Sequence, residues 1–270
     1  GGSTMELMDF TRTIKDYNQD AVICRRNFIA VADGATPLGG GEQEARDTSL
    51  FALSLMDYLD VADPRPGNVL EVIPLAINAA RRRVKAEDIT STLTVATWDE
   101  NTVRVATIGD SVAVIKTADG FHEIIDPSYA GNEDRYLSQV ADGVLQGLTW
   151  EEAYEDIRGA LKEARQLRNS DQGTWIASTS TPGRAVAKHM YVVDLPRDEV
   201  EGCAVVSDGL HDWVGKFGLI GPEYIFTLDR EGLSRMWLEA YDLQRADASR
   251  SQYPRLSNLD DASLARVNFG

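Results

Sequence analysis

The chain has 270 residues, 43% of them apolar, which is enough to bury one large hydrophobic core or two small ones. Its formal net charge of −16 arises from 27 basic and 43 acidic residues, so its surface would repel nucleic acids and anionic membranes. The sequence contains neither the roughly 18-residue apolar run of a membrane-spanning helix nor a signal-peptide pattern. We therefore expect a cytoplasmic protein with no nucleic-acid or membrane partner.

The first four residues, Gly1-Gly2-Ser3-Thr4, precede Met5 and are typical of an expression scar, so residues 5–270 are interpreted as a single domain. The two cysteines, Cys24 and Cys203, lie in apolar, strand-like surroundings and are not spaced as a CxxC pair. They are interpreted as small buried hydrophobic residues with no redox or nucleophilic role.

The first third of the chain is predicted to contain a buried strand and two helices. Residues 28–32 form an apolar, β-favouring run that stops at Asp33-Gly34, which indicates a strand entering a turn. Apolar residues at helical spacing predict one helix between residues 45 and 59 and another between residues 73 and 84. Pro74 leaves the beginning of the second helix open.

Three strands are predicted in the middle of the chain. Residues 91–98, 102–108 and 112–116 are rich in β-favouring side chains and are separated by short turn sequences. Connections this short join antiparallel strands, because a parallel crossover needs a dozen or more residues. This pattern excludes a doubly wound, parallel nucleotide-binding sheet.

Residues 126–171 form a polar stretch that is interpreted as an inserted, flap-like subdomain with one helix. Thr149 and Glu152 make a capping box, and apolar residues from Trp150 to Ala164 follow at helical spacing. Further strands are predicted at residues 174–179, 190–193, 203–206 and 263–267, and a further helix at about residues 230–243. The predicted fold class is therefore α+β, in one domain with an insertion.

Four short acidic phrases lie at predicted strand ends: Asn18-Gln19-Asp20, Ala32-Asp33-Gly34, Ser207-Asp208-Gly209 and Leu259-Asp260-Asp261. Each phrase alone is typical of a turn or a helix cap. Carboxylates that converge from several strand ends repel one another unless a cation lies between them. Ligation by aspartate oxygens suits Mg²⁺ or Mn²⁺, whereas zinc normally recruits His or Cys. Together the phrases favour a divalent-metal site.

Five motifs, in chain order, resemble those of the metal-dependent protein phosphatases, the phosphatase 2C family, over nearly the whole chain. The matching segments are Asn18-Gln19-Asp20, residues 28–34, Ser91-Thr92-Leu93 with residues 108–111, residues 207–210, and residues 260–263. The resemblance implies two stacked antiparallel sheets flanked by helices, an α-β-β-α sandwich with a flap subdomain. It also implies two Mn²⁺ or Mg²⁺ ions at one edge of the sandwich.

The resemblance assigns site residues position by position. Asp33 would bridge both ions, and Asp208 and Asp260 would hold the first of them. The backbone carbonyl of Gly34 would contact the second ion. Asp20 would hold water molecules bound to the metals.

Other positions concern a third ion and the substrate. Some relatives carry a third, weaker ion at positions that match Asp110, Asp208 and Asp212. Lys15 stands where the family usually has an arginine that grips the substrate phosphate, and Gln19 replaces an acid often found there. Lysine offers a point charge rather than a planar fork, so we expect a less directional phosphate contact.

The resemblance implies an enzyme that removes phosphate from phosphoserine or phosphothreonine in protein substrates. Attack would come from a water that bridges the two ions, so no nucleophilic side chain is needed. Two alternatives stay open. The changes at Lys15 and Gln19 would suit a catalytically impaired relative that serves as a binding or regulatory module, and a two-metal site would also suit small phosphoesters. No oligomeric state is predicted.

Overall fold

The computed structural model describes residues 4–35 and 37–270. The segment interpreted as an expression scar lies outside these residues, except for Thr4. The strands are β1 (Glu6–Arg12), β2 (Asp20–Cys24), β3 (Phe28–Ala35), β4 (Thr90–Ser91), β5 (Leu93–Trp98), β6 (Thr102–Ile108), β7 (Val112–Thr117), β8 (Gly120–Ile124), β9 (Ala177–Ser178), β10 (Tyr191–Pro196), β11 (Gly202–Val206) and β12 (Ala262–Asn268). The helices are α1 (Glu42–Ala62), α2 (Val69–Arg83), α3 (Asn132–Leu145), α4 (Trp150–Gln166), α5 (Gly183–Ala187), α6 (Asp208–Gly215), α7 (Tyr224–Thr227) and α8 (Arg230–Ala246). In this part of the chain no helix has the length and apolar content needed to cross a membrane.

Within the described residues, the strands form two antiparallel sheets. The smaller sheet has the order β1-β12-β11-β7-β8. The larger sheet has the order β10-β6-β5-β3-β4-β9, with β2 paired to β3. The predicted hairpin between β5 and β6 is confirmed, with Leu93 opposite Ile108 and Trp98 opposite Val103. The next strand, β7, crosses to the smaller sheet, where it pairs with β8 and β11.

The two sheets pack face to face, and helices cover their outer faces. Ile29 and Val31 of β3 join Val205 of the smaller sheet in a buried cluster between the sheets. Phe28 and Ala30 point the opposite way, into a cluster with α1 and α2. Because both faces of β3 are covered, its sequence is a continuous apolar run rather than an alternating one. Helices α6, α7 and α8 cover the smaller sheet, which confirms the α-β-β-α sandwich.

Several elements differ from the prediction. The strand predicted at residues 91–98 is interrupted at Thr92, between β4 and β5, and the one predicted at residues 174–179 shortens to β9. Asp20 begins a strand instead of ending one. Residues 126–171 contain two helices, α3 and α4, where one was predicted. Val140 is the buried residue of α3, so the apolar stripe of this helix is too weak to identify from spacing.

Candidate metal centre

Asp33 lies near the end of β3 on a backbone that is fixed from both sides. Its N–H donates to the hydroxyl of Thr92 (3.0 Å), and its carbonyl accepts from the N–H of Thr92 (3.0 Å). The Thr92 hydroxyl lies 2.7 Å from that of Ser111. The next residue, Gly34, donates its N–H to the carbonyl of Gln19 (2.8 Å), and a Cβ at Gly34 would lie 2.8 Å from the same oxygen. The interruption at Thr92 therefore anchors Asp33, and the tight approach to Gln19 requires glycine.

Asp110 lies where the chain leaves the larger sheet for the smaller one. Gly109 has φ +99°, in the left-handed region that favours glycine, and a Cβ there would lie 2.6 Å from the Thr92 side chain. The N–H of Gly109 donates to the carboxylate of Asp126 (3.1 Å). That carboxylate also accepts from the backbone N–H (3.0 Å) and the hydroxyl (2.7 Å) of Ser128. The turn is thus held against Thr92, the same residue that anchors the strand of Asp33.

Asp208 follows β11 and is the first residue of α6. The N–H of Ser207 donates to the carbonyl of Ser263 (3.0 Å), and the N–H of Ser263 donates to the hydroxyl of Ser207 (2.9 Å). A Cβ at Gly209 would overlap neighbouring backbone and lie 3.1 Å from the Cβ of Asp260. Glycine is therefore required, and it lets α6 begin directly against the segment that carries Asp260.

These elements bring Asp33, Asp110 and Asp208 together, with one carboxylate oxygen of each within 4.8 Å of the others. Burial, followed by the charges of Asp20 and Asp208, raises the pKa of Asp33 well above its ordinary range. Desolvation of its carboxylate by the surrounding protein, followed by the charge of Asp208, raises the pKa of Asp110 to about 8, and the residue as a whole is exposed to the cleft. Burial raises the pKa of Asp208 to about 7, with a further contribution from Asp260. A cation among these groups would relieve their repulsion and stabilise their ionised forms.

Asp260 lies beside this cluster, in a recess that it shares with Asp110 and Asp208. Among the described residues it is not part of the tightest acidic group, and its carboxylate accepts a hydrogen bond from the hydroxyl of Ser257 (2.6 Å). Burial raises the pKa of Asp260. The structure therefore brings Asp260 to the edge of the cluster, with Asp110 closer to Asp33 and Asp208.

A buried ion pair secures the loop that precedes Asp260. Arg255 is 1% exposed, and its Nη1 lies 2.8 Å from Oδ2 of Asp247. Its Nη2 donates to the backbone carbonyl of Asp247 (2.9 Å), and its Nε donates to Asn258 (2.8 Å). The Asp247 carboxylate also accepts from the N–H of Gln252 (3.0 Å). Removing one partner would leave the other charge buried and unpaired, so the position of this loop depends on the pair.

Asp212 lies one turn after Asp208 on α6, in the same recess. The Nζ of Lys216 is 3.9 Å from Oδ1 of Asp212 and 2.6 Å from Oε1 of Glu133. Burial raises the pKa of Asp212 to about 7, although the charge of Lys216 opposes the shift. The lysine thus links α6 to α3 beside the acidic cluster.

Asp20 is buried beside Asp33 and carries one carboxylate oxygen without a hydrogen-bond donor. The pairing of β2 with β3 places it opposite Asp33. Its Oδ2 accepts from the hydroxyl of Ser263 (2.6 Å), whereas its Oδ1 is buried and has no partner in the part of the chain that the structure describes. Burial and repulsion from Asp261 raise the pKa of Asp20 to about 7. A buried acceptor without a donor is rare, and a water held by a cation would satisfy it.

Lys15 is placed near the cluster by Asp261, which the sequence analysis did not assign to the site. The carboxylate of Asp261 is buried and accepts hydrogen bonds from the hydroxyl of Thr13 and from the N–H of Gln19 (2.9 Å). The N–H of Lys15 donates to the Thr13 hydroxyl (2.9 Å), and its Nζ lies 4.0 Å from Oδ2 of Asp261. With 40% of its side chain exposed, Lys15 can reach an anion in the cleft.

A cleft of about 310 Å³ joins most of the predicted site residues, and Asp20 and Asp212 lie outside its lining. Its lining includes Lys15, Gln19, Asp33, Gly34, Asp110, Asp208, Asp260 and Asp261. Tyr129, Arg165 and Arg168 also line it. Sequence reasoning missed these three because no motif contains them. The available signal was the recurrence of basic residues at 158, 162, 165 and 168 in an otherwise acidic insertion.

Comparison with protein families and solved structures gives a consistent result. Residues 13–237 match the family model described as Protein phosphatase 2C. No curated protein sequence matches the chain. The serine/threonine phosphatase PstP/Ppp of Mycobacterium tuberculosis has 17% identity and a TM-score of 0.57, over 98% of each chain. The serine/threonine phosphatase Stp1 of Staphylococcus aureus has 15% identity and a TM-score of 0.57, over 100% of this chain and 96% of that one.

A further solved structure is the catalytic domain of PstP in complex with two manganese ions. It has 16% identity and a TM-score of 0.56, over 99% of each chain. At these identities the structural likeness shows a shared fold.

Proposed function

The chain belongs to the protein phosphatase 2C family, and we propose that it is a metal-dependent phosphomonoesterase acting on phosphoserine and phosphothreonine in proteins. The observation that carries this proposal is the convergence of Asp33, Asp110 and Asp208 beside the unpartnered oxygen of Asp20. Phosphoryl transfer asks a protein mainly for positioned charge, because little covalent chemistry falls to the side chains.

The acidic cluster fits hard divalent cations. Its donors are carboxylate oxygens, the ligands that Mn²⁺ and Mg²⁺ accept. Under this proposal Asp33, Gly34, Asp208 and Asp260 hold two ions, and Asp110 and Asp212 contribute to a weaker third. When bound, such ions lower the pKa of a coordinated water and offset the charge of phosphoryl oxygens.

The chain's own side chains orient the reactants around these ions. The exposed ammonium of Lys15 contacts the phosphate, in place of the arginine usual in the family. The unpartnered oxygen of Asp20 accepts a hydrogen bond from a water and so fixes the orientation of that water. Residues 126–171 act as a flap at the border of the cleft, to which they contribute Tyr129, Arg165 and Arg168.

The replacement of an acid by Gln19 does not argue for a disabled site. Two backbone bonds of Gln19 hold the neighbouring segments: its N–H donates to Asp261, and its carbonyl accepts from Gly34. Both bonds are independent of the side chain. The acid-to-glutamine change therefore leaves these backbone contacts of the site in place.

Hydrolysis of p-nitrophenyl phosphate and of a phosphothreonine peptide, each with Mn²⁺ and with EDTA, tests the proposal. Asp33→Asn and Asp208→Asn should each lower turnover by about two orders of magnitude or more, because each removes a charged metal ligand. Asp242→Asn, at an exposed acid on α8, is the control and should retain activity. Wild-type protein that binds Mn²⁺ and hydrolyses neither compound would favour a binding module. Turnover of small esters without turnover of peptides would favour a small-phosphoester enzyme.

A further inference from the structure

A groove next to the cleft is basic, although the protein as a whole carries a charge of −16. It has a volume of about 590 Å³ and is lined by Arg158, Lys162, Arg165 and Arg168. We call it the basic groove. Among its described lining residues, Asp88 is the only acid, and the others include Thr90, Ser178 and Ser180. Four cations around one groove raise the local concentration of anions.

The spacing along α4 explains how the basic groove forms. Residues 158, 162 and 165 recur at i, i+4 and i+7, so they lie on one face of the helix. Ala153 and Ile157 lie on a neighbouring face and are buried against α3. Burial of that apolar face fixes the rotation of α4 and so directs the basic face to the groove.

Arg158, Lys162 and Arg168 have a weak ion pair or none within the described part of the protein. Arg158 pairs with Glu155 at 3.1 Å, and both side chains are exposed, so this pair holds the arginine only weakly. Lys162 and Arg168 make no ion pair within 4.0 Å in residues 4–35 and 37–270. Arg168 lies 3.5 Å from the hydroxyl of Thr90. Burial and the charge of Arg168 lower the pKa of Arg165, as expected for neighbouring cations.

The basic groove is continuous with the candidate metal centre. Arg165 and Arg168 line both the basic groove and the cleft that contains Asp33. Arg158 and Lys162 line the basic groove but not the cleft. A ligand that enters the cleft can therefore extend along the groove toward Arg158.

We propose that the basic groove binds an acidic stretch flanking the phosphorylated residue of the protein substrate. This proposal rests on the proposed function. The eight residues from Arg158 to Arg165 span about 10 Å of helix, and an extended peptide advances about 3.3 Å per residue. The preferred acids therefore lie about two to four positions from the phosphoresidue. A short acidic peptide fits better than a nucleic acid, since the net charge of the protein opposes a long polyanion.

The test compares two phosphothreonine peptides that differ only in having Glu or Gln at positions two to four on each side of the phosphoresidue. With Mn²⁺, wild-type kcat/KM should favour the Glu peptide by about three- to tenfold. Arg158→Gln with Lys162→Gln should reduce this ratio to near one. Arg235→Gln with Arg245→Gln makes the same charge change on exposed residues of α8 and should keep the wild-type ratio.

A binding measurement separates this proposal from the proposed function. Fluorescence anisotropy with an unphosphorylated Glu-rich peptide needs no catalysis, and its affinity should fall in the Arg158→Gln, Lys162→Gln variant only. If the protein binds the peptide but hydrolyses no phosphoester, the proposed peptide site in the basic groove is supported and the proposed enzymatic function is rejected. The proposed peptide site would be rejected if Arg158→Gln with Lys162→Gln changed neither the kcat/KM ratio of the Glu and Gln peptides nor the affinity for the unphosphorylated peptide. It would also be rejected if wild-type protein bound a single-stranded oligonucleotide more tightly than the peptide.

Discussion

Replacing Asp20 by Asn should stabilise the metal-free protein at high pH. The carboxylate is buried, and its pKa is raised from 3.8 to about 7, because burial and the neighbouring charge of Asp261 disfavour its ionised form. The folded state therefore binds the proton more tightly than the unfolded state does. Stability is highest below the unfolded pKa and falls as the pH rises toward 7.

The size of the pKa shift of Asp20 sets the expected change in the free energy of unfolding. Relative to low pH, the raised pKa of Asp20 lowers the free energy of unfolding by about 2 kcal/mol at pH 5, where only the unfolded state is ionised, and by about 4 kcal/mol at pH 8, where both states are ionised, since each unit of pKa corresponds to about 1.4 kcal/mol. Asp20→Asn removes this effect, and the Asn carbonyl can still accept from Ser263. The variant should thus gain about 2 kcal/mol more stability at pH 8 than at pH 5.

Urea denaturation followed by circular dichroism, in EDTA at both pH values, measures this difference. Asp242→Asn changes the same charge on the exposed face of α8 and should alter stability by less than about 0.5 kcal/mol at either pH. Saturating Mn²⁺ should reduce the advantage of Asp20→Asn, because the wild-type carboxylate then has a cation nearby. If Asp20→Asn is less stable than wild type at pH 8, or if its gain in the free energy of unfolding is equal at pH 5 and pH 8, then ionisation of Asp20 does not destabilise the metal-free protein as expected.

Substitutions at three other residues test the site and its support. Lys15→Ala should raise KM for a phosphopeptide and lower kcat/KM by about 1 to 3 kcal/mol in free energy, whereas Lys15→Arg should retain most activity; equal kcat/KM in wild type and Lys15→Ala would contradict a phosphate contact. Arg255→Met should destabilise the protein by about 3 to 5 kcal/mol, because Asp247 keeps a buried charge without a partner. It should also weaken Mn²⁺ binding in calorimetry by displacing the loop that carries Asp260. Unchanged Mn²⁺ affinity in the folded variant would show that the ion pair does not position the site. Asp212→Ala should keep its melting temperature within a few degrees, but its activity should require higher Mn²⁺ concentrations than wild-type activity does. The same Mn²⁺ dependence in the variant and in wild type would contradict a third ion held by Asp212.

The parts of the fold that could be predicted from sequence are those with a local signal. The run in β3 is apolar on both faces, and the β5–β6 hairpin is bounded by polar turn residues, so both were identified. In β1 only Met8 and Phe10 are buried, which leaves too little alternation to identify the strand. The crossing of β7 to the second sheet depends on the packing of Gly109 against Thr92, which spacing does not reveal.

The candidate site divides in the same way. Acids that follow apolar strands were found, because a strand that ends in Asp is a short-range pattern. Asp261 was assigned no role, since its bonds to Thr13 and Gln19 join residues more than 240 positions apart. Arg165 and Arg168 belong to an insertion without motifs. Arg165 lies on α4, whose direction is set by its packing on α3, and Arg168 follows the end of that helix.

Crystals grown with Mn²⁺ would show whether the cluster of Asp33, Asp110 and Asp208 binds divalent metal. An anomalous-difference map should show at least two peaks in this cluster, one of them within bonding distance of Asp33 and Asp208. The same map for Asp33→Asn should lose at least one of the two peaks that Asp33 is expected to contact. A wild-type map from crystals at a saturating Mn²⁺ concentration with no peak among these three carboxylates would show that the cluster is not a metal site.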